Sequence, residues 1–264
     1  IRIVGKSSVG MMEQPEGKLL TIPEFNRRDL LDAADLLIVD RSSLLGFDLL
    51  KTAVKNNRHL YITDFPELTL EQCAELLKFF EEARTVVKIR NPLLEEAVTG
   101  WIAMNAQEPA YVSLFESLPG IPEKREVLTR YLYYAMALFK STPLKIRVTG
   151  IHQPASGFLF FNMRLEYPSN STMNLEILNQ ENTTRTVRVA FPGKFLEGNC
   201  LTGKAHLNMQ EINILSGAAK EPASFISLAE TGNFFLHSDL GTYYAMLSTL
   251  HEVLRKIELY TNWQ

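Results

Sequence analysis

Asp64 sits in Thr63-Asp64-Phe65-Pro66, directly after an apolar stretch. A carboxylate just past the carboxyl end of a strand stands where ligands bind in open α/β sheets. If buried, it would serve as a general base, because desolvation raises a carboxylate's pKa. An aspartate in such a turn is also ordinary turn chemistry. Lys6, Ser7 and Ser8 follow the run Ile1-Arg2-Ile3-Val4-Gly5 and offer a cation and two hydroxyls to a phosphate, or simply a solvated loop. The stretch from Gly5 to Gly10 has its lysine at the wrong end for a phosphate-cradling G-x-x-x-x-G-K loop, so a glycine turn is expected there. His59, His152, His206, His237 and His251 are scattered, which predicts no zinc site, and His59 reads as structural. No G-x-S-x-G elbow occurs. Asn170-Ser171-Thr172 and Asn182-Thr183-Thr184 fit the glycosylation pattern and read as turn sequences.

The chain around these groups has 264 residues, of which 46% are hydrophobic and 22% charged. That excludes a disordered or low-complexity protein. With 27 basic against 30 acidic residues the net charge is −3, which gives no pull toward nucleic acid or anionic membranes. Two cysteines, Cys73 and Cys200, exclude a disulfide framework and a four-cysteine zinc site. No apolar run approaches the roughly 20 residues that span a bilayer. The chain opens at Ile1 without a signal-peptide pattern, so a cytoplasmic location is expected.

Strand and helix patterns alternate over the first ~110 residues. Ile1 to Gly5, Leu36 to Val39, His59 to Ile62 and Thr85 to Ile89 read as strands. The continuous apolar run Leu36-Leu37-Ile38-Val39 predicts burial on both faces of a parallel sheet. Asp29 to Ala34, Phe47 to Val54 and Thr69 to Ala83 read as helices. The last has Thr69 as N-cap, Gln72 three residues on, and Leu70, Cys73, Leu76, Leu77 and Phe80 at helical spacing. Such alternation implies βαβ units. Beyond Pro119-Gly120-Ile121-Pro122 the pattern changes. An aromatic-rich helix spans Glu126 to Lys140 and carries Tyr131, Tyr133 and Tyr134. Leu144 to Val148, Phe158 to Tyr167, Met173 to Leu178 and Thr186 to Phe191 follow as an antiparallel meander, and Thr242 to Tyr260 forms a final helix. The expected architecture is therefore α/β. A Rossmann-like parallel sheet domain over 1–118 precedes an α+β domain with a largely antiparallel open sheet over 119–264.

The stretch from Asn57 through Arg58-His59-Leu60-Tyr61-Ile62-Thr63-Asp64-Phe65-Pro66 to Leu77 resembles the Gfo/Idh/MocA group of NAD(P)-dependent oxidoreductases. There a strand of the form G-K-H-V-x-x-E-K-P leads into an L-A-L-T turn and a Glu/Ala/Leu-rich helix. Ala34-Asp35-Leu36-Leu37-Ile38-Val39 is similar to the preceding family strand, and Thr85 to Ile89 to the following one. Leu138-Phe139-Lys140-Ser141-Thr142-Pro143 looks like the family's L-L-G-x-x-P helix end. The specific part of the resemblance covers residues 32–90. It implies a Rossmann-type domain, which here lacks its first strand, and an α+β second domain whose open sheet face packs on another subunit.

Set against that family, the site residues differ. The lysine that reaches nicotinamide and substrate falls on Asp64, the preceding glutamate on Thr63 and the proline on Phe65. The T-P after the earlier strand falls on Arg41-Ser42, and the next histidine on Gly46. The D-x-x-x-H that moves a proton falls near Glu126 and Arg130. Ile1 to Gly5 resembles the family's second strand, so the ribose-binding acid falls on Ser8 and the glycine turn lies before Ile1. The resemblance thus implies Asp64 as the tentative catalytic group, with Ser8, Arg41, Ser42 and Thr63 near a cofactor. Two functions follow. One is a catalytically degenerate protein with a binding or regulatory role. The other is an active oxidoreductase on a sugar-like or small hydroxy substrate, with Asp64, Arg41 or one of Tyr131, Tyr133 and Tyr134 handling the proton. The cofactor would be NADP or NAD, and the basic, acid-free Lys6-Ser7-Ser8 leans toward NADP. A homo-oligomer through the second sheet and a small-molecule ligand are the expected partners, with apolar Phe158 to Phe161 on both sheet faces.

Overall fold

The computed structural model describes residues 4–7, 23–83, 85–120, 123–153, 157–214, 225 and 239–261. The chain divides into two compact units. The first comprises Ile1–Arg90 and Glu221–Gly241, the second Asn91–Lys220 and Thr242–Gln264.

In the first unit the described elements run α1 (Arg27–Ala33), β1 (Leu36–Val39), α2 (Ser42–Leu45), α3 (Phe47–Lys55), β2 (His59–Ile62), α4 (Leu70–Glu82) and β3 (Val87–Ile89). The strands pair in parallel in the order β1-β2-β3. Thr69 and Gln72 form a reciprocal capping box, as their spacing predicts. Leu50, Ala53, Val54, Leu60, Ile62, Cys73 and Leu76 are buried in this unit. A separate cluster joins Tyr61, Val86 and Phe225, with Leu36 packed against it; the Tyr61 and Phe225 ring centroids are 5.5 Å apart. The expectation that β1 is buried on both faces needs correction: Ile38 is 58% exposed. Side chains alternate across the strand, so Leu37 is buried on one face while Ile38, on the other, is left uncovered. Ile1 to Ile3 lie outside the described residues. Lys6 makes a parallel bridge to Glu24, and Gly5 lets the Phe25 ring approach, since a Cβ there would stand 2.3 Å from Phe25 Cδ2.

The outer edge of β3 is occupied by a residue far away in sequence. The Asp239 amide donates to Val87 O (2.8 Å), its carboxylate accepts the Ile89 amide (3.0 Å) and it pairs with Lys88 Nζ (3.0 Å). One aspartate thus satisfies backbone groups that an edge would otherwise leave open.

The second unit contains α5 (Pro92–Glu95), α6 (Ala97–Asn105), β4 (Tyr111–Leu118), α7 (Lys124–Phe139), β5 (Lys145–Gln153), β6 (Gly157–Glu166), β7 (Thr172–Asn179), β8 (Thr184–Phe191), β9 (Lys194–Asn199), β10 (Lys204–Leu207), β11 (Gln210–Asn213) and most of α8 (Leu240–Thr261). Its eight strands lie in the order β11-β10-β9-β8-β4-β7-β6-β5. This corrects the expected meander. β4 inserts between β7 and β8, parallel to one and antiparallel to the other. It also moves the sequence boundary. A division at 118/119 assigns β4 to the first domain, whereas its ladders hold it at the centre of the second sheet, and the contacts divide the chain at Arg90/Asn91. One sheet face is buried, through Val112 and Leu114 of β4, Met163 and Leu165 of β6, and Met173 and Leu175 of β7. The opposite face is half-buried to exposed, with Tyr111, Phe115 and Phe160 half-buried and Ile151 at 55% exposure.

Asp239→Ala removes an acceptor and a charge partner from the β3 edge together. The expected outcome is amide hydrogen exchange at Ile89 faster by about tenfold or more, with unchanged protection in β4 and β7.

Candidate functional site

In parallel strands the carboxyl ends lie side by side, and the register Val39↔Ile62 sets the residues after β1 next to those after β2. Thr63 donates its amide to Val39 O (3.0 Å) and its hydroxyl to Asp40 O (2.9 Å). Asp64 accepts the Ser42 amide with both carboxylate oxygens, at 3.0 and 3.1 Å. The Ser42 hydroxyl points to Phe65 O at 3.4 Å. Arg41 is exposed and stands at the N-cap of α2 without a side-chain cap bond. Four of the five sequence-predicted site residues are therefore brought together at one sheet edge. The fifth, Ser8, lies outside the described residues.

Their roles follow from local chain chemistry. The first amides of a helix have no intrahelical acceptor, and a carboxylate is a favourable partner for them. α2 has only four residues, and Asp64 closes its first turn from the neighbouring strand end. Gly46 joins α2 to α3 at φ +72°, a conformation glycine adopts without strain. The Ser42 amide, the Ser42 hydroxyl and the Thr63 hydroxyl bond the chain itself, while Arg41 is exposed.

His59 opens β2 at the opposite end of the strand. Its Nδ1 accepts the Val86 amide at 3.1 Å, which requires that nitrogen to be unprotonated. Burial pushes the imidazole below its ordinary 6.5, against the upward pull of the Asp35 carboxylate. The histidine is structural, as its isolation in sequence predicts.

In the second unit a cluster of charges forms that no motif announced. Glu116 of β4 is fully buried. One carboxylate oxygen accepts Arg130 Nη2 at 2.8 Å and the Tyr131 hydroxyl at 2.5 Å; the other accepts Arg185 Nε at 2.9 Å and Nη2 at 2.5 Å. Arg185 Nη1 pairs in turn with Glu96. Its signal in the sequence was alternation: Val112, Leu114 and Glu116 share one strand face, so a strand over 111–118 turns the glutamate inward. Burial, and then the Glu116 charge, drive the Tyr131 hydroxyl well above its ordinary value; burial does the same for Tyr134, which donates to Thr99 O at 2.9 Å. Tyr133 is buried edge-on to Tyr243. All three tyrosines are buried, and the hydroxyls of Tyr131 and Tyr134 are engaged by Glu116 and the Thr99 carbonyl. Cys200 is buried near the same charges, its thiol pushed up to about 12 chiefly by burial.

Among the described residues no group of three or more His, Cys, Asp or Glu side chains is placed to hold a metal ion. None of their helices is long and apolar enough to cross a membrane.

A three-stranded parallel sheet with helices, followed by an open mixed sheet of eight strands, defines a class of two-domain α/β proteins. Solved structures place it further. UDP-N-acetylglucosamine 3-dehydrogenase GnnA from Acidithiobacillus ferrooxidans superposes with a TM-score of 0.75 at 14% identity, over 89% of this chain and 82% of that one. A Gfo/Idh/MocA family oxidoreductase from Vibrio cholerae gives 0.74 at 10% identity, over 92% and 85%. Biliverdin reductase from Synechocystis, solved with biliverdin and NADP+, gives 0.63 at 14% identity, over 88% and 83%. The chain has the fold of the Gfo/Idh/MocA oxidoreductases. No family profile matches its sequence, and no curated protein matches it either.

The folded His59 binds its proton more weakly than the unfolded one. Stability is therefore complete above about pH 6.5 and declines as pH falls from there toward the lowered folded value. His59→Gln is expected to flatten this part of the stability–pH curve, measured by urea unfolding between pH 7.5 and 5 at about half-unit steps.

Proposed function

We propose that this protein is a divergent Gfo/Idh/MocA-type protein that binds a small-molecule ligand or regulates a partner and does not transfer hydride. One observation carries this. Asp64, at the position that the family resemblance assigns to the lysine facing nicotinamide and substrate, holds the Ser42 amide with both oxygens. A carbonyl-reducing site needs a group that moves a proton to or from the substrate oxygen. Here a capping carboxylate stands in its place, and the resemblance sets Arg130, bound to Glu116, at the proton-transferring histidine's position. Arg41, Ser42 and Thr63 then serve as scaffold. The protein acts in the cytoplasm.

A second reading is an NADP- or NAD-dependent oxidoreductase on a sugar-like or small hydroxy substrate, with a non-standard proton donor. What favours it is the shared fold: biliverdin reductase, of that fold, was solved with NADP+.

In either case the protein forms a homo-oligomer through the open face of its eight-stranded sheet. Ile151 at 55% and Phe195 at 42% exposure lie on it together with the half-buried Tyr111, Phe115 and Phe160. Apolar side chains spread over a sheet face favour burial against a copy of themselves.

Titration with NADPH and NADH, followed by nucleotide fluorescence and melting temperature, decides between the readings. The expected outcome is no saturable binding up to millimolar nucleotide. Saturation with a melting shift of several degrees would establish the second reading instead. Sedimentation at micromolar protein is expected to show a dimer or larger species, and a monomer would remove the sheet interface.

A further inference from the structure

Two buried polar atoms of the Glu116 cluster have no partner, Arg130 Nε and Glu96 Oε2. Glu116 has four donors on its two oxygens. Arg185 uses Nε and Nη2 on Glu116 and Nη1 on Glu96. Tyr131 donates its only proton to Glu116. Arg130 bonds the cluster through one nitrogen only. Its Nη2 bonds Glu116, its Nε is buried without a partner, and among the described residues its Nη1 bonds nothing. The side chain as a whole is 26% exposed.

Arg130 is also held still. One nitrogen is fixed to a carboxylate that has no solvent contact. Its Cζ lies 5.1 Å from the centroid of the Tyr131 ring. A guanidinium fixed on one side by an ion pair and supported on its face by an aromatic ring loses little rotamer freedom on binding a ligand. With Nε buried, the planar pair of donors that matches two oxygens of one carboxylate or phosphate is Nη1 with the second hydrogen of Nη2.

We infer that Arg130, anchored on Glu116, is an anion-binding group of the second unit, and that it takes an oxyanion, carboxylate or phosphate, of a small molecule on the guanidinium edge that Glu116 leaves free. The inference goes beyond the proposed loss of hydride transfer and holds with or without nucleotide binding.

The test uses the whole protein and three probes: acetate, citrate and inorganic phosphate. Calorimetry is run at constant ionic strength against chloride. At least one probe is expected to saturate a single site per chain at concentrations up to tens of millimolar. R130Q should weaken that binding by about tenfold or more. R130K keeps a cation for Glu116 but loses the planar fork, and should weaken it by a smaller factor. R27Q, in the first unit, should leave it unchanged. Preference for acetate and citrate over phosphate would identify a carboxylate ligand, and the reverse a phosphorylated one; both support the inference. It is overturned if no probe saturates, or if R130Q, or R130K where R130Q melts early, binds as the parent does. Nucleotide titration is a separate measurement, so failure of one does not imply failure of the other.

Discussion

Glu116 carries a negative charge into a place with no water, and four donors from α7 and β8 converge on it. A lone ionised carboxylate there would cost several kcal/mol in desolvation, so the strand, the helix and the second strand are acceptable only together. β4 supplies the charge, β8 answers with Arg185, and α7 with Arg130 and Tyr131. Arg185 extends the link to Glu96 between α5 and α6. The carboxylate thus fixes which strand is central and which helix covers it. Replacing one donor leaves the others around an under-compensated charge, whereas shortening a neighbouring leucine leaves only a cavity.

The parallel sheet shows a different economy. Strand ends in such sheets present free backbone groups toward ligands. Here the groups after β1 and β2 bond each other: Thr63 to Asp40, and Asp64 to Ser42. This edge is a folded junction in which Thr63, Asp64 and Ser42 bond the chain itself. Fold and function separate at the scale of two or three side chains.

The sequence pattern made much of this legible, unevenly. α4 declared itself through Thr69, Gln72 and a 3.6-residue apolar period, all local signals. The strands at 36–39 and 59–62 stood out because parallel strands are apolar runs. β4 was missed because Pro119-Gly120 drew the boundary past it and because its register includes a glutamate on the inward face. Its position between β7 and β8 depends on long-range ladders that no local pattern encodes. Of the site, the types and neighbourhood of Arg41, Ser42, Thr63 and Asp64 were legible from two strand ends. That Asp64 holds an amide was not, since the partner lies 22 residues away. Burial of Tyr131, Tyr133 and Tyr134 follows from three aromatics within four positions of one helix, which gives the helix an apolar surface too wide for a single exposed stripe.

Phe225 and Asp239 belong to the first unit, yet the chain reaches them only after all eight strands of the second sheet. On a ribosome the amino-terminal sheet therefore emerges incomplete. Its β3 edge stays open and its Tyr61–Val86 cluster bare until the second sheet has been made. A nascent chain stalled before Asp239 presents a naked strand edge for chaperones to shield.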